Sequence, residues 1–113
     1  MLNPFFKNYG PFKISELIKS IGLNIQNINS NHEIHDIKDL SSSNEKDITF
    51  YHSKKYRDLA KETKALYCLT NEVLKNELPE RCTPLIVRNI LVSTSKITSI
   101  FYPESINDDF DET

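Results

Sequence analysis

Asp47-Ile48-Thr49-Phe50-Tyr51-His52-Ser53-Lys54-Lys55-Tyr56-Arg57-Asp58 is the stretch that decides how this chain folds. Its first six residues are β-rich and alternate. Ile48, Phe50 and His52 fall on one side of an extended strand, Thr49 and Tyr51 on the other. Ser53 is then a good N-cap for a helix running to about Thr63, with Tyr56, Leu59 and Ala60 on its inner face. The same alternation of elements continues downstream. Ala65-Leu66-Tyr67-Cys68-Leu69 is a continuous apolar run of buried-strand length. Residues 72–77 make a short helix stopped near Pro79. Pro84-Leu85-Ile86-Val87 is another buried strand, and residues 90–102 read as a helix that ends at Pro103 and turns Leu91, Ile97, Ile100 and Phe101 toward a core. Three strand–helix units in a row need crossover connections and at least partly parallel pairing. The expected fold class is α/β, with a small mixed, partly parallel sheet and flanking helices.

Upstream the punctuation is different. Residues 1–12 are irregular, broken by Pro4, Gly10 and Pro11 and anchored by Phe5, Phe6, Tyr9 and Phe12. Ile14, Leu17, Ile18 and Ile21 have helical spacing, with Ser15 as the expected cap and Gly22 as the stop. Residues 24–32 are polar and asparagine-rich, a strand edge and a turn. Glu33-Ile34-His35-Asp36-Ile37 reads as one short strand, and Ser41-Ser42-Ser43-Asn44 as a loop. The chain has no internal repeat.

At 113 residues and 13.1 kDa the chain is one domain's worth. With 38% hydrophobic residues it can build a modest core, but it has no apolar run long enough for a membrane span. The opening MLNPFFKNYGPF lacks the basic flank and apolar stretch of a secretory signal, so a cytoplasmic location is expected. Cys68 and Cys82 form no paired motif and read as small buried fillers. Net charge is −2, and residues 104–113 hold five acids and no base, either a frayed tail or a linker to a further domain. The remaining body is only mildly positive and has no Trp or Arg-rich stripe, which excludes a nucleic-acid footprint.

Catalytic motifs are missing. The two glycines, Gly10 and Gly22, are far apart, so there is no phosphate loop. His32, His35 and His52 read as solvated or structural rather than metal-binding, and neither a metal nor a cofactor is expected. The informative pair is Phe50 and Tyr56. A strand-to-helix junction opens at the carboxyl end of its strand, where α/β sheets place ligands. Two aromatics flanking it can grip a flat ring, or can be two ordinary core residues. Lys54 and Lys55, with Arg57 close behind, would oppose the dipole at the start of that helix. A phosphate there would remove the conflict, although the lysines can also simply reach into water. A flat ring and phosphates together suggest a nucleotide.

Asp47-Ile48-Thr49-Phe50, Lys55-Tyr56, Ala65-Leu66-Tyr67 and Pro84-Leu85-Ile86-Val87-Arg88-Asn89, in that order, resemble one family. It is the N-terminal domain of the UDP-(3-O-acyl)-glucosamine N-acyltransferases of lipid A biosynthesis. Phe5-Phe6 through Gly10-Pro11-Phe12 and the helix after it are similar to the alphaproteobacterial branch, and Phe101-Tyr102-Pro103 fits the family's last helix before its linker. The resemblance implies a cytoplasmic homotrimer of a Gram-negative bacterium that moves a 3-hydroxyacyl chain from acyl carrier protein to the 2-amine of UDP-3-O-acyl-glucosamine. It implies uracil stacking by Phe50 and Tyr56. Where the family often has Asn and Pro, this chain has Ser53 and Lys54, so Ser53, Lys54 and Lys55 stand as candidates for edge or phosphate contacts. The implied division is residues 1–103 as a uridine-binding α/β domain and 104–113 as an acidic linker toward a left-handed β-helix that carries the catalytic histidine. The sequence holds neither six-residue repeats nor that histidine, so no acyl transfer by this chain alone is expected. The fold implied resembles the Mur-ligase N-terminal-like domain. Mur ligases would also require an ATP-binding glycine-rich segment, which the sequence does not contain. The other open reading is a stand-alone α/β protein-interaction module without catalytic activity.

Overall fold

The computed structural model describes residues 7–24 and 31–104. Phe5, Phe6, the polar stretch 25–30 and the acidic tail from residue 105 lie outside the described residues. The chain runs β1 (Phe12–Lys13), α1 (Ile14–Ser20), β2 (Glu33–Ile34), β3 (Asp36–Ile37), β4 (Asp47–Phe50), α2 (Arg57–Glu62), β5 (Tyr67–Thr70), β6 (Thr83–Ile86) and α3 (Ile90–Phe101). Single 3-10 turns lie at Lys54–Tyr56 and Lys75–Glu77.

Four strands form a parallel sheet in the order β3-β4-β5-β6. Ile48 sits opposite Tyr67, and Tyr67 opposite Thr83. All four residues of β5 are buried, as a continuous apolar run in an interior parallel strand requires. Pro84 is tolerated because, among the described residues, β6 is an edge strand with no further neighbour to receive its missing N–H. A separate antiparallel pair, β1 with β2, joins Phe12 to Ile34. The run 33–37 is therefore two strands and not the single one expected. Ile34 and Asp36 both point inward, while exposed His35 hands the chain from one sheet to the other, its N–H bonded to Lys46 O at 2.7 Å.

Local chemistry sets the helix ends. Lys13, not Ser15, precedes α1, and its N–H donates to the Glu16 carboxylate at 2.9 Å, so Ser15 lies inside the helix. Gly22 ends it at φ +79, with Gly22 N–H bonded to Lys19 O and Leu23 N–H to Ile18 O. This is the left-handed stop that glycine adopts without steric penalty. Asn89 caps α3 through Oδ1, which accepts from Val92 N–H at 3.1 Å. That start fixes the inward stripe as Ile90, Ser93, Ile97 and Phe101. Leu91, expected in the core, is 55% exposed instead.

The core is built from Ile14, Leu17, Ile34, Ile48, Leu69, Leu85, Ile97 and Phe101, all fully buried. Residues before β1 are laced to the end of α3. Tyr9 N–H donates to Phe101 O at 2.9 Å, and the Phe12 and Phe101 rings meet edge to face at 5.1 Å. Tyr102 donates its hydroxyl to Asp36 Oδ1 at 2.7 Å, tying the same end of α3 to β3. Gly10 lies so close that a Cβ there would stand 2.7 Å from Phe101 Cε1. Gly10→Ala should therefore cost about 1–3 kcal/mol through overpacking, read as a lower urea midpoint at an unchanged slope.

Candidate functional site

Tyr51 directly follows β4 and is fully buried. Its N–H donates to Leu69 O at 2.9 Å, and its carbonyl accepts from Thr70 Oγ1 at 2.9 Å. Its hydroxyl donates to Glu77 Oε1, and Glu77 Oε2 lies 4.0 Å from Arg57 Nη1. Burial, reinforced by the Glu77 carboxylate, pushes the Tyr51 phenol up to about 12. A side chain pinned inward at this position turns both of its neighbours to the other side of the extended chain.

Those neighbours are Phe50 and His52. Their ring centroids lie 6.4 Å apart with planes 28° from parallel, close to the roughly 6.6 Å that two residues of strand span. Ser53 continues in extended geometry and then turns the chain. Its carbonyl accepts from Tyr56 N–H at 3.0 Å, and its Oγ makes a long contact of 3.4 Å with Lys55 N–H. The turn returns Tyr56 to 5.5 Å from His52, its ring tilted by 47°. Lys55 Nζ stands 5.3 Å from the Tyr56 ring centre, within cation–π range. Phe50 and Tyr56 are half-buried and rest against the core without being enclosed by it, while His52, Lys54 and Lys55 are exposed.

The junction thus brings together Phe50, Ser53, Lys54, Lys55 and Tyr56, and it adds His52. Two expectations change. The helix after Ser53 is a 3-10 turn followed by six α-helical residues, so its dipole is small and the lysines themselves supply the positive charge. Leu59 is 45% exposed, and Ala60 alone is buried in α2, because adjacent helical positions point about 100° apart and the face toward the core is that of Ala60. Arg57 is directed to Glu77, whereas among the described residues Lys54 makes no ion pair. His52 as a ring neighbour of Phe50 was readable from the strand alternation; its contact with Tyr56 was not. The Tyr51–Glu77 support had no sequence signal, since it joins two separate connections.

Other candidate residues lie elsewhere. His32 Nδ1 is 3.0 Å from the Tyr67 hydroxyl. Cys68 and Cys82 are both buried, and the Cys68 thiol is pushed up by its hydrogen bond with Cys82 and by burial. At the amino end of β3 and β4 a cavity of about 360 Å³ is lined by Asn8, Asp36, Lys38, Lys46 and Asp47 among others. Among the described residues no helix is long and apolar enough to cross a membrane.

A four-stranded parallel sheet with flanking helices, whose strand β4 leads into aromatic rings and lysines, defines a small α/β domain. The family model described as UDP-3-O-(3-hydroxymyristoyl) glucosamine N-acyltransferase, LpxD, matches residues 31–99, which include the whole junction, and the chain belongs to that family. It is similar to the UDP-3-O-acylglucosamine N-acyltransferases of Rickettsia typhi, at 31% identity over 100 residues, and Rickettsia peacockii, at 32% over 100 residues. Each match covers 87% of this chain and 29% of the relative, so the chain spans under a third of the length of the curated relatives it matches.

Folding raises the Tyr51 pKa from 10.0 to about 12. The stability carried by the protonated phenol is complete below about pH 10 and is lost as pH rises toward 12. Tyr51→Phe should remove that part of the slope, measured as urea midpoints across this window. Tyr9, Tyr67 and Tyr102, also raised, leave a residual slope.

Proposed function

We propose that this chain is the uridine-binding part of an N-acyltransferase of lipid A biosynthesis. The complete enzyme would transfer a 3-hydroxyacyl chain from acyl carrier protein to the 2-amine of UDP-3-O-acyl-glucosamine, acting as a homotrimer in the cytoplasm of a Gram-negative bacterium. Residues 1–103 form the binding domain in this reading, and 104–113 lead toward the part that performs the chemistry. The observation that carries the proposal is the half-buried pair Phe50 and Tyr56 at the carboxyl edge of the sheet, beside exposed lysines.

Each group has a part to play. The Phe50 and Tyr56 faces offer stacking surface to uracil, a contribution that depends on planarity and area. Ser53 Oγ can meet one polar atom of the base edge, where an amide would offer a donor and an acceptor. Lys54 and Lys55 draw in the diphosphate, an attraction weakened by salt because both lysines are exposed. Tyr51 carries none of these contacts and acts as the post that holds the junction in place. The reacting amine and the acyl thioester lie with residues beyond this binding surface.

Amide NMR of the chain titrated with uridine diphosphate should show shifts concentrated at residues 50–57. Phe50→Ala and Tyr56→Ala should each weaken binding by about 1–3 kcal/mol, the usual worth of a base stacked on an aromatic ring. If either substitution lowers the melting temperature and leaves affinity intact, the ring is part of the core and not of a binding site. A mass-based acyl-transfer assay on the 113-residue chain should give no product; turnover would overturn the assignment of the chemistry to another part.

A further inference from the structure

Asp36 and Asp47 begin β3 and β4 side by side, as partners in the parallel register. Both are buried, at 6% and 2% exposure, and both line the cavity of about 360 Å³ at the amino edge of the sheet. We propose that this cavity binds a small zwitterion, a molecule with an ammonium group at one end and a carboxylate or phosphate at the other. Its ammonium group would sit on the two carboxylates, and its acid group would meet the lysines at the rim. The site lies at the opposite edge of the sheet from Phe50 and Tyr56 and does not rest on the uridine-binding reading.

The buried wall carries negative charge that the fold leaves half satisfied. Asp36 Oδ1 accepts from the Tyr102 hydroxyl at 2.7 Å and from Ile37 N–H at 2.8 Å. Asp47 Oδ2 accepts from Asn44 N–H at 3.0 Å. Among the described residues no hydrogen bond reaches the second oxygen of either side chain, Asp36 Oδ2 or Asp47 Oδ1. Thr49 Oγ1 is, among these residues, the one fully enclosed side-chain polar atom without a partner. The two carboxylate oxygens are therefore not sealed in, and they open to the cavity that their residues line. Two like charges held together and largely out of water repel one another, and a cation placed against both offsets that cost. Lys38 does so only in part, since its Nζ stands 3.8 Å from Asp47 Oδ2 with the side chain 36% exposed.

The rim carries the opposite sign. Lys46 lines the cavity, is exposed, and makes no ion pair among the described residues. The lining thus holds two carboxylates, two ammonium groups and the His35 imidazole. A simple cation would be repelled by the lysines and a simple anion by the acids. A molecule that carries both signs, aligned with the wall and the rim, meets neither penalty. A metal ion is poorly served, because among the described residues no three His, Cys, Asp or Glu side chains come together to hold one. The volume lies at the small end of the range of ligand pockets, room for a molecule of amino-acid size. Asn8 ties the backbone on two sides of the opening: its Nδ2 donates to His35 O at 2.9 Å, and its Oδ1 accepts from Gly10 N–H at 2.6 Å.

The test titrates the 113-residue chain with four probes while amide NMR is recorded. Alanine and O-phosphoethanolamine carry both charges, propylamine carries the ammonium group alone, and inorganic phosphate is the anion alone. At least one of the two zwitterions should give saturable shifts at residues 35–38 and 44–47, at lower concentration than either single-charge probe. Lys46→Ala should weaken the binding of that zwitterion about twofold to fivefold, the scale of an exposed ion pair, and leave propylamine unchanged. Asp47→Asn should weaken the zwitterion and propylamine alike, by about tenfold or more. Lys46→Ala keeps the test readable if Asp47→Asn does not fold, since among the described residues the Lys46 side chain has no bonded partner to lose. No saturable shift at these residues from either zwitterion overturns the inference. Phosphate binding as tightly makes the rim a plain anion patch, and propylamine binding as tightly leaves the lysines without a part; either result also overturns it. So does unchanged affinity for the zwitterion in Lys46→Ala.

Discussion

The junction depends on Tyr51 being pinned inward. A strand has only two sides, so one fully buried residue determines where its neighbours go. Tyr51 is held through its N–H, its carbonyl and its hydroxyl, the last reaching the 3-10 turn beyond β5. Phe50 and His52 must then share the opposite side, and the short turn after Ser53 brings Tyr56 back to His52. The aromatic cluster follows from a packing constraint on the residue in its midst. Removing the Tyr51–Glu77 contact loosens the link between two crossovers before it touches any ring.

The two ends of the parallel sheet differ in chemistry. At the carboxyl edge, β4 ends in rings and lysines. At the amino edge, β3 and β4 begin with Asp36 and Asp47, both buried. Asp36 Oδ1 accepts from Tyr102 and from Ile37 N–H, and Asp47 Oδ2 accepts from Asn44 N–H and faces Lys38 Nζ at 3.8 Å. A buried carboxylate is tolerable only when such partners replace water. These contacts join the end of α3 and the residues before β1 to the sheet, and the same residues line the cavity of about 360 Å³.

Legibility in the sequence followed the strength of the local signal. The runs at 47–50 and 67–69 are strands because their β-branched and aromatic residues sit between clear breaks, and α3 begins where Asn89 can cap it. The errors have physical causes. Leu91 was placed inside by its hydrophobicity, but the cap at Asn89 sets the helix phase and puts Ser93 on the buried stripe. Leu59 stays out because its neighbour Ala60 takes the inward position, about 100° around the helix. Ser15 was the better capping residue by type, yet pairing of Lys13 with Glu33 holds the backbone extended until Ile14. The run 33–37 alternates as one strand would, and the alternation cannot say that its two halves hydrogen-bond to different partners.

By itself the sequence determined the α/β class, the order of the crossover units and the placing of Phe50, Ser53 and Tyr56 around one strand-to-helix junction. Those follow from spacing and capping, which act between residues near one another in the chain. Only the tertiary structure decided that the four strands lie in sequential order, that Glu77 holds the Tyr51 hydroxyl, and that the His52 ring meets both Phe50 and Tyr56. The first two depend on contacts between segments far apart in the chain. The third depends on a tight 3-10 turn at Lys54–Tyr56, and no periodicity in the residues records it.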